Sequence, residues 1–199
     1  MTQTGAMPRL YLIRHAKPAA SWGEDPDPGL DPMGLTQAQT TAEELARSLS
    51  RLPLYSSPMR RCRETAQPLE QIWFCDAEPM PAVAEIPSPP IAFSARRDWL
   101  IAAMRGTWQQ LRDNSPAGSI DYLQWRRELV DALLAIEHDC VIYTHFIAIN
   151  AAVGAAQKSD DVVCVRPDHA SVTVIANDEG RLRLIEVGRE ADTLVLARP

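Results

Sequence analysis

"PRLYLIRHAKP", residues 8–18, sets the frame for the whole chain. Its apolar, β-favouring run over residues 10–13 reads as a buried strand that stops at Arg14 and His15. A guanidinium and an imidazole at the end of a core strand are costly to bury unless they have something to bind. Two more runs follow the same plan. "CVIYTH" (140–145) is apolar until Thr144 and His145, and "PLYSSP" (53–58) is a short strand ending at Ser56 and Ser57.

Helical patterns lie between these runs. In the stretch 30–52, Asp31 suits an N-cap and Pro32 the first helical position. Leu35, Ala38, Ala42, Leu45, Ala46 and Leu49 then recur along one helical face. Ser57 reads as the cap of a second helix, with Pro58 at its first position and Met59, Cys62, Ala66 and Leu69 facing inward. Pro68 is expected to kink or shorten that helix. The proline-rich stretch 76–90, with Glu85 inside it, reads as extended and irregular. Spacing predicts helices over 94–111, 119–137 and 147–156. "DVVCVRP", "ASVTVIAND" and "RLRLIEVG" read as strands, the last two joined by a turn at Asp178, Glu179 and Gly180.

Strands alternating with helices define an α/β fold, a three-layer sandwich whose twisted, mainly parallel sheet carries helices on both faces. Ligands of such sheets bind beyond the carboxyl ends of the strands. Arg14–His15, Ser56–Ser57 and Thr144–His145 should therefore open onto one edge.

Composition narrows the ligand. With 199 residues, 46% of them hydrophobic, the chain can bury one sizeable core. A net charge of −6 gives no general field for nucleic acid or an anionic membrane. The apolar runs fall far short of the roughly 20 residues that span a bilayer. Residues 1–9 lack the pattern of a secretory leader. Cys62, Cys75, Cys140 and Cys164 match no metal-binding spacing and read as free thiols of a cytoplasmic protein. No HxxxH or HExxH occurs, so neither a metal nor another cofactor is expected. Any anion bound here must be held by local cations.

Arg14, His15 and His145 supply such cations, and the second helix offers Arg60, Arg61 or Arg63 near its N-terminus. A cup of this kind suits a small phosphoryl dianion, whose oxygens match the guanidinium fork. One imidazole can attack phosphorus in line while the other donates to the charged oxygens. The departing alkoxide needs a proton, and Glu85 is the carboxyl group nominated to supply it, with Asp76 and Glu78 as alternatives.

Five segments together resemble the histidine phosphatase, or phosphoglycerate mutase-like, superfamily. "LIRHAKP" resembles its Arg-His-Gly signature, with Ala16 in the place of the glycine. "LDPMGLTQAQ" is similar to its Leu-Ser/Thr-x-x-Gly-x-x-Gln-Ala segment. "SSPMRRCRETA" is similar to its Ser-Ser-Pro helix, and that register selects Arg61. "VIYTHFIAI" resembles the segment of the second histidine, with Phe146 where glycine is usual. "DHASVTVIANDEGRLRLIEV" is like the C-terminal hairpin.

The resemblance implies one domain over 1–199 with a variable, cap-like insertion at about 86–119. It implies a phosphohistidine on His15, a phosphoryl group held by Arg14, Arg61 and His145, and a loop carboxyl as general acid. The expected activity is metal-independent phosphatase action on a small phosphorylated molecule. A phosphoglycerate mutase and a non-catalytic phospho-ligand binder are the alternatives. The resemblance places Ala19 and Ala20 near where mutases of the family carry polar substrate contacts. A homodimer is compatible with the sequence. Trp99, Trp108 and Trp125 are expected to pack the insertion against the core, and His138 and His169 to be structural or surface residues.

Overall fold

The computed structural model describes residues 7–20 and 24–191; most of the N-terminal stretch read for a leader lies outside them. Six strands form one sheet: β1 (Arg9–Arg14), β2 (Leu54–Ser56), β3 (Glu78–Pro79), β4 (Cys140–Thr144), β5 (Val172–Asp178) and β6 (Arg181–Glu186). Their order is β3-β2-β4-β1-β5-β6. The first four run parallel, and β5 and β6 complete the sheet as an antiparallel hairpin beside β1. Its two-residue turn places Glu179 and Gly180 at φ 49° and 80°, the conformation that matches the twist of a tight hairpin.

The helices are α1 (Pro32–Ser48), α2 (Arg60–Trp73), α3 (Arg96–Ala103), α4 (Trp108–Asp113), α5 (Tyr122–Leu134) and α6 (Phe146–Gln157). Alternation along the central strands divides the core. Leu10, Leu12, Cys140 and Ile142 pack with α3 to α6. Ile13, Val141 and Tyr143 pack with α1 and α2 on the opposite face. Both faces of the sheet are therefore covered, as the apolar runs required, and each fully buried Leu or Ile contributes ~1.5–3 kcal/mol. No helix among the described residues is long and apolar enough to cross a membrane.

Several local expectations are corrected. Ser57 does not cap α2: the helix begins at Arg60, and the Arg60 N–H donates to Asp27 Oδ1 at 2.9 Å. That carboxylate, brought from a distant loop, does the capping work at the positive end of the helix. Pro68 does not shorten α2, which runs on to Trp73. Leu35 lies on the outer side of α1 and is exposed. The helix read over 94–111 is two helices, because the chain breaks at Gly106 and restarts with a Thr107–Gln110 capping box. The segment 161–167 is not a strand. Its Cys164 and Val165 N–H groups donate to Asn150 Oδ1 at 2.7 and 2.9 Å, so one side chain replaces a ladder.

Two positions of the stretch 30–39 brace the turn after β1. Asp31 caps α1 through the Gly34 N–H at 2.7 Å, and Gln37 Oε1 accepts the Lys17 N–H at 3.0 Å. A Cβ on residue 34 would lie 2.1 Å from the Lys17 carbonyl oxygen. Only glycine lets the helix approach this turn, which carries His15 and Ala16.

Candidate active site

The carboxyl ends of β1, β2 and β4 lie side by side, and they bring Arg14, His15, Ser57 and His145 to one edge. The first turn of α2 adds Arg61, and the loop before α3 adds Glu85. All five sequence-nominated residues thus converge. Asp76 and Glu78 do not: both are exposed, at the start of β3 and the opposite end of the sheet.

His15 is buried, 6% exposed. Its N–H is fixed by the Thr144 carbonyl at 2.9 Å, and its Nδ1 lies 2.9 Å from the Ala16 carbonyl oxygen. A carbonyl only accepts, so Nδ1 carries the proton and the Nε2 lone pair is left for chemistry. Burial, and then the neighbouring His145, Arg14 and Arg61, hold the imidazole pKa well below its ordinary value. The ring is neutral at pH 7.

Arg14 is fixed on two sides. Its Nη1 donates to the Pro167 carbonyl at 2.9 Å, and its guanidinium lies 5.1 Å from the centre of the Phe146 ring. Its Nε is buried and has no protein partner. Burial lowers its pKa to about 10, against the opposing pull of Glu85 and Asp168, so it stays protonated.

Arg61 is 5% exposed and its Nη2 donates to His145 Nδ1 at 3.1 Å. A guanidinium only donates, so the His145 proton sits on Nε2, 2.8 Å from Ser57 Oγ. His145 is fully buried and, by burial and the charges of Arg61 and Arg14, held neutral. Arg61, His145 and Ser57 form a directed chain of donors, and the Ser57 hydroxyl also lies within hydrogen-bonding reach of the Cys62 thiol. Cys62 lies against the same ring, Sγ 3.3 Å from Nε2, with a thiol pushed up by burial.

Glu85 accepts the Ile147 N–H at 3.2 Å and the Ile86 N–H at 3.1 Å. Burial raises its pKa above that of an ordinary glutamate, outweighing those hydrogen bonds and the attraction of Arg61 and Arg14. A carboxyl group kept protonated longer than usual, beside two arginines, suits proton donation.

Three side chains at this edge were not nominated. Ser57 is placed at this edge by the strand-end reading but is assigned in sequence only the work of a helix cap. His169 stands with its ring 5.8 Å from that of His15, whose ring lies 5.3 Å from that of His145. It reaches there because the Ala170 N–H donates to the Arg14 carbonyl at 3.0 Å, in a loop where Ala170 adopts φ 56°. Asp27 Oδ1 lies 3.9 Å from Arg61 Nη1. His138, by contrast, is exposed and meets Tyr55 at 3.2 Å, away from the site. The tryptophans pack as expected: Trp108 stacks on Trp125 and Trp99 lies against Tyr122.

The histidine phosphatase superfamily (branch 1) family model matches residues 10–189, and the chain belongs to that superfamily. Solved structures of similar fold include phosphoglycerate mutase from Bacillus anthracis (TM-score 0.75, 18% identity, covering 92% of this chain and 93% of that one). A putative α-ribazole-5′-P phosphatase from Escherichia coli is similar too (TM-score 0.72, 15% identity, 94% and 98% covered). So is a mycobacterial glucosyl-3-phosphoglycerate phosphatase in complex with inorganic phosphate (TM-score 0.69, 23% identity, 93% and 98% covered). No curated protein is recognisably similar in sequence to this chain.

Proposed function

We propose that this protein is a phosphatase that hydrolyses a small phosphomonoester through a phosphohistidine on His15. The observation that carries the reading is the tautomer of His15. Its Nδ1–H is tied to the Ala16 carbonyl, its ring is neutral, and Arg14 and Arg61 flank it. In the first step the Nε2 lone pair forms a P–N bond as the ester P–O bond breaks, and the departing alkoxide takes the proton of Glu85. Water then attacks phosphorus, the P–N bond breaks, and the Glu85 carboxylate accepts the water proton. Arg14, Arg61 and the His145–Ser57 pair hold the phosphoryl oxygens throughout, with His145 acting through the serine hydroxyl in the resting arrangement.

Among the described residues no group of three His, Cys, Asp or Glu side chains is arranged to hold a metal ion. The chemistry proposed here runs on side chains alone. A panel of phosphorylated metabolites should release inorganic phosphate in the presence of EDTA. Vanadate, a mimic of five-coordinate phosphorus, should inhibit strongly. Turnover that dies on chelation and returns with a divalent ion would point to a metallohydrolase. Isomerisation of a phosphoglycerate that requires 2,3-bisphosphoglycerate, without net phosphate release, would make the protein a mutase.

A further inference from the structure

Arg14 and Glu85 lie within each other's field, the carboxylate raising the guanidinium pKa and the guanidinium lowering the carboxyl pKa. Among the described residues they nevertheless form no ion pair, and the pair that Arg61 makes is with Asp27. Opposite charges in a site shielded from water attract strongly, and a guanidinium free to move would close its fork on the carboxylate.

Each partner is restrained. Glu85 accepts the Ile147 N–H at 3.2 Å, at the start of α6, and the Ile86 N–H at 3.1 Å. The Arg14 guanidinium is tied through Nη1 to the Pro167 carbonyl at 2.9 Å and lies 5.1 Å from the centre of the Phe146 ring. Phe146 is half-buried and packs against the core shared by α3 to α6, so its ring is a fixed surface. Consecutive residues of one helix thus hold the two groups, 146 by its side chain and 147 by its backbone. Asp168, the other carboxylate that acts on Arg14, is already occupied: it accepts the His169 N–H at 2.8 Å and pairs with Arg189 at 3.1 Å. Glu85 is therefore the carboxylate that a loosened Arg14 would find. Their pairing would damage the site twice, taking the arginine from the phosphoryl group and the proton from the acid.

We propose that Phe146 is a positioning residue: its aromatic face holds the Arg14 guanidinium out of reach of Glu85, keeping the arginine for the phosphoryl group and the carboxyl for its proton. The inference rests on the phosphatase reading for the use made of that proton, and on phosphoryl binding alone for the arginine.

The probe is inorganic phosphate, its dissociation constant measured by titration calorimetry as a function of pH. Each variant is compared with its parent at the same pH, so the ionisation of phosphate cancels. Phe146→Leu keeps apolar bulk and removes the aromatic face. The freed guanidinium then pairs with Glu85, phosphate must displace the carboxylate, and affinity should fall about tenfold at mildly alkaline pH. The ionisable groups facing Glu85 are Arg61 and Arg14, which stay charged there, and the Cys62 thiol, which burial keeps neutral. Burial raises the Glu85 pKa, so the carboxylate dominates above the raised value and the acid below it. The weakening should accordingly fade as pH falls through that value. In Glu85→Gln no carboxylate exists at any pH, and adding Phe146→Leu should weaken phosphate by less than about threefold. Phe146→Tyr keeps the ring and should bind phosphate as the wild type does.

A Phe146→Leu loss as large in the Glu85→Gln background as in the wild type would overturn the proposal, because the ring would then be ordering Arg14 without reference to Glu85. So would no loss, a loss equal at every pH, or a tyrosine variant as weak as the leucine one. The readout is affinity and not turnover. A wild type that binds phosphate but hydrolyses no phosphomonoester would instead sink the phosphatase reading.

Discussion

His15→Ala is expected to cut turnover of any phosphomonoester by about 10⁴-fold or more, the scale on which removing a nucleophile acts. Three contacts fix the His15 ring. The main-chain N–H of His15 is held by Thr144, its Nδ1 by Ala16, and its ring lies edge-on to His145 at 5.3 Å. The ring is therefore fixed, with one nitrogen tied to protein and the other left with its lone pair. Alanine removes that second nitrogen and leaves Arg14 and Arg61 in place. Phosphate and vanadate should still bind the variant, and its circular dichroism should match the wild type. A variant that retains wild-type turnover would mean that water attacks directly and the site is used differently.

Glu85→Gln should act selectively. General acid catalysis is worth roughly 10²–10⁴-fold, about 3–5 kcal/mol of barrier, when the leaving group is a poor one. An alkoxide needs the proton, whereas para-nitrophenolate is a stabilised anion and hardly needs it. Glutamine keeps the size and the acceptor for the Ile147 N–H but has no proton to give. Alkyl phosphate hydrolysis should fall by about that factor, and para-nitrophenyl phosphate hydrolysis much less.

The pH profile carries the same signature. Because burial raises the Glu85 pKa, its acid form persists above the usual glutamate range and is lost as pH rises through the raised value. The two esters ionise at different pH, so the wild-type ratio of alkyl to aryl rates is divided by the same ratio in Glu85→Gln, which cancels that difference. The quotient should decline as pH rises through the raised Glu85 value. An equal slowing of both substrates would make Glu85 a phosphate-positioning or loop-holding residue.

What could be read from the chain alone follows from how directly a residue announces its environment. Residues 10–13 and 140–143 are apolar runs without alternation, which only a strand covered on both faces requires. Once they are parallel neighbours, Arg14, His15, Thr144 and His145 must share an edge. Gly34 and Gln37 look like ordinary helix residues, and their purpose emerges only when α1 is seen pressed on the Lys17 backbone.

The misreadings have one cause, tertiary partners that take over local work. Ser57 has the sequence context of a helix cap, yet its hydroxyl oxygen accepts from His145 and Asp27 caps α2 instead. Residues 161–167 have the β-branched character of a strand, yet Asn150 satisfies their backbone from α6. His169 follows no periodic element, and the pairing of its loop with β1 puts it beside His15. Phe146 was legible only as a departure from the family's glycine; the structure gives it an occupation, as the surface on which the Arg14 guanidinium lies.

Rapid-quench trapping with a phosphoryl-labelled substrate looks for the covalent intermediate itself. The wild-type protein, quenched in alkali during turnover, should carry a base-stable, acid-labile phosphate that maps to the peptide containing His15, formed at least as fast as product is released. His15→Ala should carry none. Label on a different residue, no label during active turnover, or label that accumulates more slowly than phosphate is released would rule out a catalytic phosphohistidine on His15.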